Sequence, residues 1–179
     1  MMDGGTPVPT ASRLPAVPER LAALGLSLRQ ATEEDESFLR RLYISVRWEE
    51  LAPTGWPNEH KVAFLEQQFA LQTTHYRKFY YDAAFGIVEV DGLPVGRLYL
   101  LQTANDLRIV DISFLPDWRG KGLGSDLVRA VFDLGRDAGT RVSINVEVFN
   151  PARRLYDRLG FTPVEEKGVY VLMEWRPGP

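Results

Sequence analysis

The sequence predicts an α+β protein with about seven strands and four helices. Alternation of apolar and polar residues, as in residues 26–31, indicates strands that bury one face. Apolar residues spaced three and four apart, as in residues 38–46, indicate helices with one buried stripe. The turn dipeptide Asp91-Gly92 stands between two strand-like stretches and indicates an antiparallel hairpin.

The predicted elements follow one another in a definite order. The first strand runs directly into a helix, because Thr32 and Asp35 supply a capping residue and an acidic first turn. A second helix, an antiparallel meander, a glycine-bearing segment and a third helix follow, and Asn150 and Pro151 then open a short fourth helix. The strands are predicted at residues 26–31, 85–90, 95–100, 107–115, 141–149, 161–166 and 169–175, and the helices at about residues 38–46, 62–76, 123–134 and 150–160.

The length of 179 residues suits one domain with an appended tail. Residues 3–18 are mostly Pro, Gly, Thr, Ser and Ala, which offer too little apolar surface to offset the entropy of ordering a chain. We therefore predict a flexible tail at residues 1–25 and a single domain at residues 26–176.

Composition argues against several classes of function. The chain has no cysteine, which removes disulfides, thiolate metal sites and cysteine nucleophiles. The formal net charge is only -3, and Lys and Arg are spread along the chain, unlike the basic surface of a nucleic-acid binder. No apolar run approaches the roughly 20 residues of a membrane span, and the start lacks the pattern of a secretory signal. His60 and His75 have no acidic companion at ligand spacing. We expect a cytoplasmic protein that binds no membrane, nucleic acid or metal.

Residues 119–125 carry the clearest functional pattern. Glycine occupies three alternate positions at a strand-to-helix junction, where unpaired N–H groups and the helix dipole favour an anion. Two basic side chains and one hydroxyl add to this, which predicts a phosphate site, although a glycine-rich connection that only turns the chain remains the alternative. The segment consists of Arg119, Gly120, Lys121, Gly122, Leu123, Gly124 and Ser125.

Two other phosphate motifs fit this segment poorly. The ATP-binding loop needs Ser or Thr after Gly-Lys, whereas Gly122 follows Lys121 here. The dinucleotide fingerprint needs a parallel βαβ unit near its start, whereas this segment follows an antiparallel meander.

The segment closely resembles the cofactor motif of the GNAT superfamily of N-acetyltransferases, which reads Gln or Arg, two residues, Gly, one residue, then Gly or Ala. Residues 119–124 match that motif in full, and residues 150–161 (NPARRLYDRLGF) are similar to a second family signature. The resemblance covers residues 26–175 in element order. It implies a three-layer α/β/α arrangement with a mixed, mostly antiparallel sheet that splays open after a bulge in the fourth strand, with acetyl-CoA entering the splay.

The resemblance also implies which residues bind the cofactor. Backbone groups of Ile112, Ser113 and Phe114 would pair with the pantetheine arm as a strand would. Residues 119–125 would hold the pyrophosphate, and Asn150 would contribute a further contact. The acceptor would be a small-molecule or peptide amine, and a homodimer is left open.

Acetyl transfer needs a base for the amine and a proton donor for the departing thiolate. By resemblance Tyr156 would be the general acid, with packing against Leu155 and Leu159 as its alternative role. Glu147 is the candidate base, directly or through water, although a solvated carboxylate at a strand end is an equal alternative. Asp111 lies between apolar neighbours near the expected bulge, so a structural hydrogen-bonding role comes before a role as base.

The predicted activity is direct transfer of an acetyl group from acetyl-CoA to an amine in a ternary complex, since the chain has no cysteine to carry the acetyl group. The alternative is a non-catalytic acyl-CoA-binding sensor or interaction module of the same fold.

Overall fold

The computed structural model describes residues 11–179 and contains one seven-stranded sheet. The strands are β1 (Leu26–Gln30), β2 (Ala84–Val90), β3 (Leu93–Gln102), β4 (Asp106–Phe114), β5 (Arg141–Glu147), β6 (Thr162–Lys167) and β7 (Tyr170–Trp175). The α-helices are α1 (Glu19–Ala22), α2 (Glu36–Arg47), α3 (Asn58–Phe79), α4 (Leu123–Ala138) and α5 (Ala152–Leu159). The predicted strands and helices are all present, and short 3-10 segments occur at Glu33–Asp35, Trp48–Thr54 and Pro116–Trp118.

The sheet is mixed and mostly antiparallel, as the resemblance implied. Its strand order is β1-β2-β3-β4-β5-β7-β6, and only the β4–β5 pair is parallel. The helices cover both faces, because successive strand residues point to opposite sides. Ile87 packs with Phe38 and Leu42 of α2, whereas its neighbour Val88 belongs to the large core that α4 covers. The three-layer prediction is therefore confirmed.

The sheet opens between β4 and β5. The two strands pair only from Asp106 to Ile109 on β4 and from Arg141 to Ile144 on β5. Tyr99 pairs with Asp111 and Leu100 with Ile109, which leaves Val110 as an extra residue on β4. Such a bulge bends its strand and ends local pairing. Beyond it β4 and β5 diverge, and the predicted splay is confirmed.

The predicted tail is corrected in its second half. Residues 1–10 lie outside the described residues, but residues 11–25 pack against the domain. Leu21 of α1 is fully buried, and Leu14 and Val17 pack against the same core. Ser12 Oγ accepts a hydrogen bond from the backbone N–H of Gln102 at 2.9 Å, and Arg20 forms an ion pair with Asp126 of α4. Three apolar side chains of this stretch are enough to dock it, because Leu14, Val17 and Leu21 all join the core that α4 covers.

Membrane spans and metal clusters are both absent from residues 11–179. No helix there is long and apolar enough to cross a membrane. No group of three or more His, Asp or Glu side chains in the same part of the chain could hold a metal ion.

Candidate acetyl-CoA and acceptor site

A groove of about 820 Å³ lies in the splay between β4 and the start of α5. It is large enough for a sizeable ligand, since ligand pockets of roughly 300–1,000 Å³ are usual. Most of the residues predicted to bind the cofactor line it. They are Ile112, Ser113, Phe114, Arg119, Gly120, Gly122, Leu123, Gly124, Ser125 and Asn150.

The glycine segment leaves its backbone open toward the groove. Gly120 and Gly122 have φ angles of 71° and 81°, a left-handed conformation that glycine adopts without strain. A Cβ at either position would meet no atom within 4 Å, so the protein itself does not fill this space. No residue within 11–179 accepts a hydrogen bond from the N–H groups of residues 120–125. These free donors therefore suit a diphosphate.

The start of α4 adds a favourable electrostatic field. Its first N–H groups have no acceptor within the helix, and the helix dipole places partial positive charge there. Arg119 stays near this end, where its Nε donates to the carbonyl oxygen of Phe114 at 2.9 Å. Lys121 does not line the groove, and its ammonium lies 4.9 Å from the centre of the Trp118 ring. The backbone therefore fits a pyrophosphate more closely than the lysine side chain does.

The far end of β4 has one free edge. Residues 111–114 pair with β3 on one side, with Ile112 opposite Leu98 and Ser113 opposite Arg97. On the other side β5 has already diverged, so main-chain groups of Ile112 and Ser113 face the splay without a strand partner. An extended amide-bearing chain can pair with such an edge as an added strand would. The geometry suits the two amides of a pantetheine arm.

A second cavity, of about 540 Å³, lies on the α3 side of the same splay. Asp111, Asn145, Arg47, His75 and the rings of several tyrosines line it. The two cavities share residues of β4, β5 and the start of α5. These are Ile112, Ser113, Glu147, Asn150 and Tyr156, together with Val46 near the end of α2 and Glu50 of the 3-10 segment that follows it. A ligand in the groove could therefore meet a ligand in this acceptor cavity.

Tyr156 stands at the junction of the two cavities. Its ring is buried and packs edge-on against Phe161, with the ring centres 5.7 Å apart. Burial raises the pKa of Tyr156 to about 12, with a smaller contribution from the negative charge of Asp111. Tyr156 makes no side-chain hydrogen bond within residues 11–179, and it lines both cavities. The structure thus combines the predicted packing role with an available hydroxyl.

The two candidate bases have arginine partners. Glu147 ends β5 with its side chain about two-fifths exposed, and its carboxylate lies 3.5 Å from Arg47. Asp111 accepts a hydrogen bond from the buried Arg97 at 2.7 Å. Asp111 therefore has the structural partner that its position predicted, and it also lines the acceptor cavity.

Asn150 has a structural role in addition to its predicted contact. Its side-chain oxygen accepts a hydrogen bond from the backbone N–H of Ala152 at 2.9 Å, which caps the first turn of α5. The position of Tyr156 depends on this turn. The amide nitrogen of Asn150 remains available to a ligand in the groove that Asn150 lines.

Two arginines of the site were missed by sequence reasoning. Arg97 is only 3% exposed in the middle of β3, and Arg47 ends α2 beside Glu50. The signal for Arg97 was present, because a charged side chain inside an apolar strand needs a buried partner. Its partner could not be named without the register that pairs β3 with β4. Arg47 gave no signal, since an arginine at a helix C-terminus is common.

The family model for the acetyltransferase (GNAT) family matches residues 36–161. The chain belongs to the GNAT family. Acetyl-CoA is the co-substrate of this family, and the open backbone of residues 120–125 and the free edge of β4 fit that molecule. The predicted family and fold are thereby confirmed.

Individual relatives of this GNAT chain are distant. A putative [ribosomal protein bS18]-alanine N-acetyltransferase of Bacillus subtilis (strain 168) is 32% identical over 83 residues, which make up 45% of this chain. The match spans about half of that relative, 55% of its length.

Solved structures show the same fold at low identity. The PaiA N-acetyltransferase of Thermoplasma acidophilum, in complex with coenzyme A, has a TM-score of 0.65 and 17% identity, over 85% of this chain and 99% of that one. An acetyltransferase of Thermus thermophilus has a TM-score of 0.64 and 22% identity, over 86% of this chain and 98% of that one. Arabidopsis thaliana Naa50, in complex with the bisubstrate analogue CoA-Ac-MVNAL, has a TM-score of 0.55 and 16% identity, over 84% of this chain and 97% of that one.

Proposed function

We propose that this chain transfers the acetyl group of acetyl-CoA directly to an amine in a ternary complex. One observation supports this most strongly: the splay joins a groove suited to acetyl-CoA to a separate cavity, and Tyr156 stands where the two meet. Two substrates that enter from opposite sides can react there without a covalent enzyme intermediate. The absence of cysteine from the chain agrees with direct transfer.

Acetyl-CoA would bind through the backbone more than through side chains. Residues 120–125 would donate N–H groups to the pyrophosphate, and Ile112 and Ser113 would pair with the pantetheine arm. This arrangement directs the thioester toward Tyr156 at the deep end of the splay. Holding both reactants at one junction lowers the entropic part of the barrier.

Tyr156 is the proposed general acid. With a pKa of about 12 its hydroxyl is fully protonated at neutral pH, so the donor form is always present. A thiol has an ordinary pKa of about 8.5, and complete transfer of the phenolic proton to the thiolate is therefore uphill. Tyr156 would act chiefly by donating a hydrogen bond to the sulfur as the carbon–sulfur bond breaks.

Glu147 is the proposed base. It borders both cavities, and its partial exposure lets a proton pass on to water. An amine attacks only in its neutral form, and most amines bind a proton at neutral pH. Glu147 would take that proton directly or through a water molecule.

The acceptor we place first is the α-amine of a peptide. The Bacillus subtilis relative is named for an alanine of a ribosomal protein, and Naa50 was solved with a bisubstrate analogue that carries the sequence MVNAL. A cytoplasmic location and a homodimer stay predictions.

The test is release of CoA in the presence of an amine panel, in the wild type and in Tyr156→Phe. The substitution keeps the ring and its contact with Phe161 but deletes the hydroxyl. We expect turnover to fall by roughly 10²-fold, a usual size for general-acid catalysis, with acetyl-CoA affinity little changed.

The runner-up activity gives a different result in the same assay. A non-catalytic acyl-CoA sensor would bind acetyl-CoA but release no CoA with any amine. Full activity of Tyr156→Phe would leave Tyr156 as a packing residue only.

A further inference from the structure

The acceptor cavity is built around one buried ion pair. The Arg97 side chain is 4% exposed, and its Nη2 donates to Asp111 Oδ2 at 2.7 Å and to Gln72 Oε1 at 3.1 Å. The guanidinium carbon also lies 4.8 Å from the centre of the Tyr99 ring. These contacts hold one carboxylate oxygen of Asp111 in place.

The other oxygen of Asp111 has no such contact. Oδ1 has no hydrogen-bond partner within residues 11–179, and the side chain is one-fifth exposed, toward the cavity that Asp111 lines. The bulge at Val110 restarts the β3–β4 register with Asp111 opposite Tyr99, at the point where β5 has diverged. A fixed carboxylate oxygen that faces a cavity is a receptor for an ammonium group.

The charges around the cavity nearly balance. Arg97 is matched by Asp111, and Arg108 lies 3.6 Å from the carboxylate of Asp106. Arg47 contacts both Glu50, at 3.1 Å, and Glu147, at 3.5 Å. Asp106 does not line the cavity, so the lining carries three guanidinium groups and three carboxylates and has no excess negative charge. His75 also lines the cavity.

Aromatic rings make up much of the remaining wall. Tyr43, Tyr76 and Tyr80 line it from α2 and the α3 end, and Tyr170 lines it from β7. The face of a tyrosine ring attracts a cation. A single ammonium group beside Asp111 would therefore be stabilised, whereas each further cation on the acceptor would find no carboxylate to match it.

We infer that Asp111, positioned by Arg97, binds the ammonium group of the acceptor, and that the cavity selects amines with one positive charge over polyamines. This rests on the proposed function and names the substrate class of its second cavity. Arg97 is a positioning residue, because its guanidinium holds Asp111 Oδ2 in place.

The first test uses the wild type alone. The probes are an amidated tetrapeptide with a free N-terminal alanine and no charged side chain, the same peptide with its N-terminus already acetylated, and spermidine. We expect kcat/KM for the free peptide to exceed that for spermidine at least tenfold, with no CoA release above hydrolysis for the blocked peptide. A preference for spermidine would overturn the inference and leave the proposed function intact, whereas acetyl-CoA binding without release on any probe would contradict both.

The second test is Asp111→Asn, with Asp157→Asn on the exposed face of α5 as control. We expect KM for the free peptide to rise at least tenfold in Asp111→Asn, with kcat affected less and KM for acetyl-CoA unchanged. Asp157→Asn should match the wild type. An unchanged peptide KM in a folded Asp111→Asn protein would overturn the assignment of Asp111. If that variant does not fold because Arg97 loses its partner, the preference measured with the wild type still decides the question.

Discussion

At the scale of single residues, the site depends on how each charged side chain is paired. Glu147 and Asp111 are both carboxylates on neighbouring strands, yet their surroundings differ. Asp111 is held by a buried guanidinium, whereas Glu147 is partly exposed and shares Arg47 with Glu50. The more solvated carboxylate can exchange protons with water, and the fixed one can hold a ligand. This difference supports the proposal that Glu147 is the base.

Glu147→Gln tests that assignment. The substitution preserves shape but cannot accept a proton. In the wild type, kcat/KM that depends on an ionised carboxylate must fall as the pH is lowered, because protonation removes the base. We expect that acidic limb to disappear in Glu147→Gln, with turnover lower at neutral pH. An unaltered profile would point to water or to Asp111 as the base.

At the scale of elements, the splay between β4 and β5 explains why the site lies where it does. The bulge at Val110 ends the pairing of the two strands, and the start of α4 closes the groove at its other end. The same core also receives the segment before β1. Leu21 of α1 is fully buried there, whereas Leu24, three residues later, is 58% exposed.

Leu21→Ala and Leu24→Ala form a matched pair that tests this docking. Removing a fully buried leucine side chain from a packed core costs about 2–5 kcal/mol, whereas an exposed one costs within about 0.5 kcal/mol. Urea unfolding should show this loss of stability for Leu21→Ala and almost none for Leu24→Ala. Equal stabilities of the two variants would mean that α1 does not dock as described.

The elements could be predicted from the sequence more fully than their contacts. Hydrophobic periodicity predicted the strands and helices, and the glycine spacing of residues 119–124 predicted an anion site, because both signals are local in the chain. The partnership of Arg97 with Asp111 depends on the β3–β4 register, which a bulge shifts by one residue. The docking of Leu14 and Leu21 depends on surfaces distant in sequence, and composition alone underestimated it.

At the scale of the whole molecule, one sheet supports two cavities that meet in its centre. The groove on the α4 side is lined by the glycine segment proposed to bind acetyl-CoA, and the cavity on the α3 side is lined by paired charges and tyrosine rings proposed to bind an amine. Where the two strands still pair they share one core, because Leu107 and Ile109 of β4 belong to the same buried cluster as Val142 and Ile144 of β5. We propose that acetyl-CoA lies in this opening with its pyrophosphate on residues 120–125.

Calorimetric titration of acetyl-CoA into the wild type, Gly124→Val and the control Gly178→Val tests that claim most directly. A Cβ at Gly124 would make only an ordinary contact with the Phe114 ring, at 3.6 Å, and one at Gly178 would meet nothing within 4 Å, so both variants should fold. The valine at position 124 would occupy space that the diphosphate needs. We predict that Gly124→Val loses at least tenfold in affinity, about 1.4 kcal/mol or more, while Gly178→Val binds as the wild type does. Wild-type affinity in a folded Gly124→Val protein would contradict the account.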